Sequence, residues 1–562
     1  MPISKNTSTA EKHPNDELKN HSDILIKLLE DTSPVLFHNE HSEPYIYMFV
    51  DDHWETWPVR SSQTKLFLKR LYWQAKHKTV YKEAVEQVLD MLESKARFDG
   101  ERISLYNRIA RHEGCIWYDL CDPKWRAVCI SKQGWSIVND PPVRFKRHKH
   151  QQPQVVPMRG GSVKSLMRFL PNIRETQDQF LVLVCILAYF IPEFPHVLLY
   201  LLGDQGSIKS TLSRLIRTLV DPAKPPLLTL HSKTSDLAQQ LSHHYLAVYD
   251  NVSYISAAVS DHLCRAVTGD GFTTRKLYTD NEDIIFDYQA SIIMNGKKLA
   301  VRQSDLLERS VIAELDRISV KDRRSERTML AELKNALPQI LGGIFDTLSV
   351  VLQFEGTVHP KSLPRMADFA EWGCIIAIAL GEKPEAFLQA YHANIRRHHE
   401  EVIHGHVIAL AVIEMMRFRP EPWEGTATEL LEKLKRTAAK HHIDLKLREW
   451  PQSAPALMAK LNDLKVNLFE SGVSIETRKG THGARSVILS KVIGENATLA
   501  TSPTEVVRET PKQGGDTLSD KTVTSPPLSP PRKVPPRKKD AKGGMGGEPT
   551  TPTSGKNIVS KF

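Results

Sequence analysis

What this chain lacks narrows its class first. A membrane span needs about 20 uninterrupted apolar residues. The longest apolar run, FLVLVCILAYFIPEFPHVLLYLLG (180–203), is broken by Pro192, Glu193 and Pro195. It reads as a buried helix followed by a buried strand. The N-terminus, MPISKNTSTAEKHPNDELKN, carries no signal-peptide h-region, so a cytoplasmic protein without a membrane partner is expected. The six cysteines are scattered, and the closest three, Cys115, Cys121 and Cys129, lack the C-x2-C pairing of a zinc site. They read as packed free thiols. Internal repeats are missing too.

What is present is enough for several domains. At 562 residues, 41% hydrophobic and 25% charged, most of the chain can bury a core. The formal charge of +9 suits a polyanionic partner and suits a basic tail equally well. Residues 1–20 and the Pro-, Thr- and Lys-rich stretch 491–562 read as disordered. Residues 21–154 read as a mixed α+β domain, with strands at 45–50, 114–120, 125–130 and 134–138 and a helix over 78–96. Residues 155–350 alternate apolar strands with helices, the pattern of an α/β fold with a mainly parallel sheet. A helical region follows over 351–424. Helices and a small hairpin over 425–490 suggest a winged helix.

Inside the α/β region, LLGDQGSIKSTL (201–212) approaches the phosphate-binding pattern G-x-x-x-x-G-K-[ST]. Gly203, Lys209 and Ser210 obey it, with Asp204, Gln205, Gly206, Ser207 and Thr211 completing the loop and its exit. Ile208 stands where the second glycine is required. Such a loop works because consecutive N–H groups and a helix N-terminus surround a phosphate while the lysine adds charge. VLLYLL (197–202) supplies the strand before it and KSTLSRLIRTLV (209–220) the amphipathic helix after it. The expected ligands are therefore ATP, with Lys209 on the β- and γ-phosphates, and Mg²⁺, with Ser210 as a ligand. A β-branched side chain at 208 restricts the backbone and crowds the phosphate, so a loop that keeps its shape but binds nucleotide poorly is the competing reading.

Three further stretches stand in the order such a site needs. YLAVYDN (245–251) is an apolar run ending in Asp250, placed to hold Mg²⁺ through water. Asn251 follows where a glutamate usually polarises the attacking water. An amide positions water but accepts no proton, so slow hydrolysis or a carboxylate from elsewhere is expected. YQASIIMNGKK (288–298) places Asn295 as a sensor of the γ-phosphate, and Arg309 in DLLERSV (305–311) is a candidate arginine finger acting on a neighbouring subunit. Between them, TTRKLYT and EDIIFDY form a hairpin that carries Arg275 and Lys276. These two either meet a DNA backbone in the pore of a ring or sit on a solvated basic turn.

The set GDQGSIKST, LAVYDN, SDHLCRAVTGDGFTTRKLYTD, IIMNG and DLLERS resembles the phage- and plasmid-borne ATPases related to the D5-type primase-helicases, of helicase superfamily 3 within the AAA+ class. IWYDLCDPKWRAVCI and PPVRF upstream, and RMADFAEWG and WEGTATELLEKL downstream, extend the likeness over about residues 40–490. The resemblance implies an AAA+-type P-loop domain in a ring, usually a hexamer of identical subunits, that translocates on single- or double-stranded DNA. By position it carries the first nucleotide motif to Lys209 and Ser210, the second to Asp250 and Asn251, the sensor to Asn295, the finger to Arg309 and the DNA hairpin to Arg275 and Lys276. A primase site is missing: 1–150 has no D-x-D motif with a partner histidine, and Asp51, Asp52 and His53 read as a turn. Priming would then fall to a separate primase or replication protein. The expected function is an ATP-driven helicase in replication of a mobile element. The alternative is a DNA-binding regulatory or assembly ATPase with weak or no hydrolysis, which Ile208 and Asn251 favour. In the flanks, the basic wing RKGTHGAR (478–485) and the tail run PPRKVPPRKK (530–539) are further candidates for phosphate contact.

Overall fold

The computed structural model describes residues 14–492 and 506–508, apart from 171, 276–282, 287, 302, 320, 322–323, 446, 448–449 and 480–484. The N-terminal part opens with helix α1 (Pro14–Glu30), so residues 14–20, expected without structure, are helical. Strands β1 (Val35–His38), β2 (Pro44–Val50) and β3 (His53–Pro58) follow, then helices α2 (Ser62–Lys76) and α3 (Lys82–Phe98). The strands form an antiparallel sheet in the order β3-β2-β1, and Glu101–Arg102 adds a parallel edge. Alternation along β2 sends Ile46, Met48 and Val50 inward against Leu25, Leu29, Val88 and Leu89 of α1 and α3. Asp51 and Asp52 form the β2–β3 turn, as their spacing suggests, and His53 opens the next strand.

A second antiparallel sheet contains β4 (Ile109–His112), β5 (Cys115–Asp119), β6 (Ala127–Ser131) and β7 (Gly134–Val138) in that order. Its apolar face does not join the first sheet. Ile116, Tyr118, Val128, Ile130 and Trp135 belong to the large central core, and Trp135 Nε1 donates to Asp346 at 2.9 Å. The single domain expected over 21–154 is thus two packing units, divided near residue 107. Sequence gives no sign of this, because the partner of the second sheet lies 200 residues downstream.

The central layer is a parallel sheet. Helix α4 (Thr176–Ala188) precedes β8 (Leu198–Gly203), and α5 (Lys209–Val220) and α6 (Thr234–His243) precede β9 (Leu246–Tyr249). Helix α7 (Ala257–Thr268) leads into a hairpin, β10 (Phe272–Arg275) with β11 (Asp283–Phe286), followed by β12 (Ser291–Gly296) and β13 (Ser310–Leu315). The order is β9-β12-β8-β13, every pair parallel, and Leu228 bridges Tyr249 at the outer edge. Leu198–Leu202 are all buried, as a strand covered on both faces requires.

Helix α8 (Glu326–Gln353) runs past the boundary expected at 350. Among the described residues it is the one helix long and apolar enough to cross a membrane, yet most of that apolar window is buried in the core. Helices α9 (Ala367–Ala379) and α10 (Pro384–His404) pack on the same core, so 351–402 is no separate region. The break comes near residue 403. Helix α11 (Val407–Met416) shares its core with β14 (Trp423–Gly425), α12 (Ala427–Lys440), α13 (Ala454–Asp463), α14 (Lys465–Glu470), β15 (Val473–Lys479) and β16 (Arg485–Lys491). This C-terminal unit therefore starts some twenty residues earlier than the expected 425. The stretch 453–471, which reads as one long helix, is broken at Leu464, and the sheet order is β14-β16-β15. Val506–Arg508 pairs with Val358–Pro360, while the rest of 493–562, including the basic tail run, lies outside the described residues. All six cysteines are free, as the missing C-x2-C spacing suggests.

Candidate functional site

The loop 203–209 leaves the C-terminal end of β8 and enters α5 at the residue expected from sequence, Lys209. Close approach explains Gly203: a Cβ there would lie 2.6 Å from the Leu315 carbonyl oxygen and 2.8 Å from Ser207 Oγ. Gly206 turns the chain at φ +89. Ile208 then caps the helix at φ 54, ψ 22, in the left-handed region. This is the conformation the missing glycine would adopt freely. In an L-residue it costs roughly 1–2 kcal/mol, and a β-branched side chain fits it worst. The backbone therefore keeps the loop's shape and pays for it at Ile208.

Lys209 is folded into the loop it guards. Its Nζ donates to the carbonyls of Gly203 (2.5 Å) and Asp204 (2.7 Å) and to Ser207 Oγ (3.2 Å). Burial pulls its pKa below the ordinary lysine value, against the carboxylate of Asp204. Ser207 Oγ donates to the Asp204 carbonyl at 2.8 Å. From outside, the Asn172 amide donates to the Ser207 carbonyl (2.7 Å) and the Asp316 carbonyl (3.1 Å), tying the loop to the end of β13. Gln205 is exposed at the tip, and Thr211 is buried on the first turn of α5.

The neighbouring strands deliver the other expected residues to this same edge. Ser210 Oγ donates to Asp250 Oδ1 at 2.7 Å. Asn251 adopts φ 55 and its N–H donates to Asn295 Oδ1 at 3.1 Å. The Asn295 amide donates onward to Ser213 Oγ at 2.9 Å, and its carbonyl accepts from Val252 N–H at 2.8 Å. Asn295 is buried within β12 and pairs in register with Leu201. Two clefts flank the loop. One, of about 640 Å³, is lined by Arg174, Lys297, Lys298 and Arg317 beside Gly203 and Asp204. The other, of about 600 Å³, lies against Ile208, Phe169, Ile173, Ile318 and Met329. Backbone donors at a helix start, a buried lysine and the cations Lys297, Lys298 and Arg317 give this edge the chemistry of an anion site, although Glu314, Asp316 and Glu401 line the same cleft and Arg174 pairs with the first two.

Arg309 is not part of this cluster. It precedes β13, and its carbonyl accepts from Leu198 N–H at 2.9 Å, at the opposite end of β8. Leu198 pairs with Ser310 and Gly203 with Leu315, so the loop lies five residues of strand away, about 16 Å at the usual rise. Its guanidinium pairs with Asp305 at 2.7 Å, and its Nε is buried without a hydrogen-bond partner. Arg365 closes on the same Asp305 and on Glu308. The hairpin exists in the expected place, with Arg275 opposite Asp283 in the pair next to its turn; Lys276 and the hairpin tip lie outside the described residues, as does the wing tip 480–484.

Sequence reading missed Asn172, Ser213, Arg174 and Lys297. Lys297 had a signal, the GKK that follows Asn295. The other three sit in stretches without any motif, and only the fold brings them here.

Residues 163–399 match the family model of the actinomycete integrative conjugative element replication protein. Residues 408–502 match the model of the C-terminal domain of the same replication protein, RepA. Together the two matches span more than half of the chain, and the second begins where the C-terminal core begins. No curated protein matches the chain. Among solved structures, an apo form of the NrS-1 C-terminal region aligns at a TM-score of 0.38 and 11% identity, covering 83% of this chain and 98% of that one. Another, of NrS-1 residues 305–718, aligns at 0.37 and 11%, covering 84% and 98%.

Proposed function

This chain belongs to the family of replication proteins of actinomycete integrative conjugative elements, and on that premise we propose that it is an ATP-dependent DNA motor in replication of the element. The observation that carries the reading is the convergence of Lys209, Ser210, Asp250 and Asn295 on one edge of a parallel sheet, with Ser210 bonded to Asp250 and Asn295 to Asn251 and Ser213. The phosphates of ATP lie in the loop, where Lys209 exchanges its carbonyl partners for β- and γ-phosphate oxygens. The cleft beside Ile208, where Phe169, Ile173, Ile318 and Met329 sit among polar groups, takes the base. Ser210 Oγ and the Asp250 carboxylate are hard oxygen donors 2.7 Å apart, the donor type Mg²⁺ prefers, so these residues fit the ion. When bound it neutralises charge on the transferred phosphoryl group. Asn295 holds Asn251 through the backbone and reports on the γ-phosphate side of the loop.

Arg309 serves a different copy of the chain. It is too far from its own loop, and an arginine supplied in trans is worth about 10³–10⁵ in rate in other NTPases. This favours an AAA+-type ring of identical subunits, a hexamer by the family resemblance, with the β10–β11 hairpin towards DNA. In the C-terminal unit the order helix, strand, three helical segments and hairpin, with β16 central, supports a winged helix.

A second reading has its own observations: strained Ile208 and the amide of Asn251 suit a DNA-binding regulator that holds nucleotide and turns it over little. The separating experiment is DNA-stimulated ATPase activity of wild type beside Lys209→Ala, with binding of a fluorescent ATP analogue measured in parallel. Turnover that appears with single-stranded DNA and vanishes in Lys209→Ala supports the motor. Equal, negligible turnover in both sinks it, and wild-type nucleotide binding without turnover selects the regulator.

A further inference from the structure

Away from the sheet, the N-terminal unit carries a surface that the nucleotide chemistry does not use. Residues 56–82 contain seven lysines and arginines and no aspartate or glutamate. Helix α2 occupies the middle of this stretch. It buries Thr64, Phe67, Leu68 and Tyr72, so helical spacing turns Leu66, Lys69, Arg70 and Trp73 outward. Trp73 is 54% exposed, and Tyr81 beyond the helix end is 50% exposed. The helix stops at His77, whose N–H donates to the Trp73 carbonyl at 2.8 Å and whose ring stands edge-on to the indole with centroids 6.3 Å apart.

The charges on this unit divide into two sets. Arg60 is closed by Glu86, Asp90 and Glu93 of α3, and Lys65 by Glu86. Arg70 reaches Asp51. Lys69, Lys76, Lys78 and Lys82 have no ion-pair partner among the described residues, and they are the ones that surround Trp73 and Tyr81. Lys69 and Lys76 lie on one side of α2, about 10 Å apart along its axis. An indole left half in water is unfavourable for a free surface, and an exposed aromatic among uncompensated cations matches the chemistry of unpaired bases on a phosphate chain.

We propose that the α2 face, centred on Trp73 with Lys69, Lys76 and Lys78, is a single-stranded DNA-binding site separate from the nucleotide site. Bases stack on Trp73 while the lysines meet flanking phosphates. A duplex offers phosphates but no open base face, so the indole makes the preference for single strands. The site is independent of the ATPase reading, because neither Lys209 nor ATP takes part.

The test uses the full chain without nucleotide and a fluorescein-labelled oligothymidylate, read by anisotropy. Trp73→Ala should weaken binding about five- to a hundred-fold, the range measured for one base–aromatic stack, and Trp73→Phe should recover most of it. Lys69→Ala with Lys76→Ala should lower the slope of log affinity against log salt by about 1.4, at roughly 0.7 per phosphate contact on single strands. Lys209→Ala should bind as wild type does. Trp73, Lys69 and Lys76 are exposed, so thermal unfolding of these variants should be unchanged. In addition, 5-iodouridine-substituted oligonucleotide should crosslink to the peptide that contains Trp73. Wild-type affinity in Trp73→Ala, or crosslinks only outside residues 62–82, overturns the proposal. A change in self-association without a change in DNA affinity also overturns it, and marks the face as a protein contact instead.

Discussion

The two ends of one parallel sheet have opposite characters. At the C-terminal end polar groups meet across separate elements: Ser210 with Asp250, Asn251 with Asn295, Asn295 with Ser213. At the N-terminal end Arg309 pairs only with Asp305, four residues before it, and leaves Nε buried without a partner. The same end carries a stack of histidines, His148 on His243 at 4.6 Å and His150 on His244 at 3.8 Å, beside the buried pair Arg108–Asp221. One end is joined across elements; the other holds a cation paired within its own segment, which the proposed function assigns to a neighbouring copy. A parallel sheet forces this separation, since all loops after strands gather at one edge and all loops before strands at the other.

The largest expected effect tests that division directly. Arg309→Ala should lower DNA-stimulated ATPase activity by about 10³–10⁵-fold, and mixing it into wild-type protein should depress the rate more than dilution does. Arg309→Lys, which can still meet Asp305 but lacks the planar fork, should fall nearly as far. Rates that simply average on mixing would place Arg309 outside any site. Next in size, Lys209→Ala should cost about 10²–10³-fold, the scale for losing one fixed donor to a developing charge. Unlike Arg309→Ala, it should also abolish binding of a fluorescent ATP analogue.

Acid should separate the two ends as well. Burial lowers the pKa of His148 and His244 to about 3 and of His150 to about 4. Their folded values lie below the unfolded value near 6.5, so the unfolded chain binds more protons in between. Stability is therefore fully present above about pH 6.5 and is lost as pH falls towards 4. Denaturant melts across that range should be less steep in pH for His150→Gln with His244→Gln than for wild type; identical slopes would remove the histidines from the acid response. The smallest effect belongs to Ile208→Gly. It removes roughly 1–2 kcal/mol of left-handed strain but adds backbone freedom worth about 0.5–1 kcal/mol. A few-fold gain in affinity for the ATP analogue is the expected outcome, and a loss would mean that the isoleucine side chain itself lines the base cleft productively.

The strand, loop and helix around Lys209 were legible in the sequence because their signals are local. LLYLLG followed by a helix start, and LAVY followed by Asp250, fix strand, loop and helix within a dozen residues each. Domain limits were not legible for the converse reason. The strands around Tyr118 and Trp135 look like the strands before them, and only Phe345 and Asp346 on α8 show where their apolar face goes. Helix α11 is apolar all round, so its sequence does not say which core it joins. Arg309 could be named from its spacing, but its distance from the loop follows from strand register, which no single strand reveals. Asn172 belongs to no pattern: its role depends on two carbonyls that come together only in the folded chain.

The hold of Lys209 on its own loop has a further consequence. With the carbonyls of Gly203 and Asp204 as its partners, the ammonium occupies the place of an incoming anion and keeps the ring of donors open around it. On the proposed function, nucleotide arrival is a displacement, in which one set of oxygens replaces another around the same cation. Little of the binding energy goes into shaping the loop, and affinity becomes a difference between two well-satisfied states.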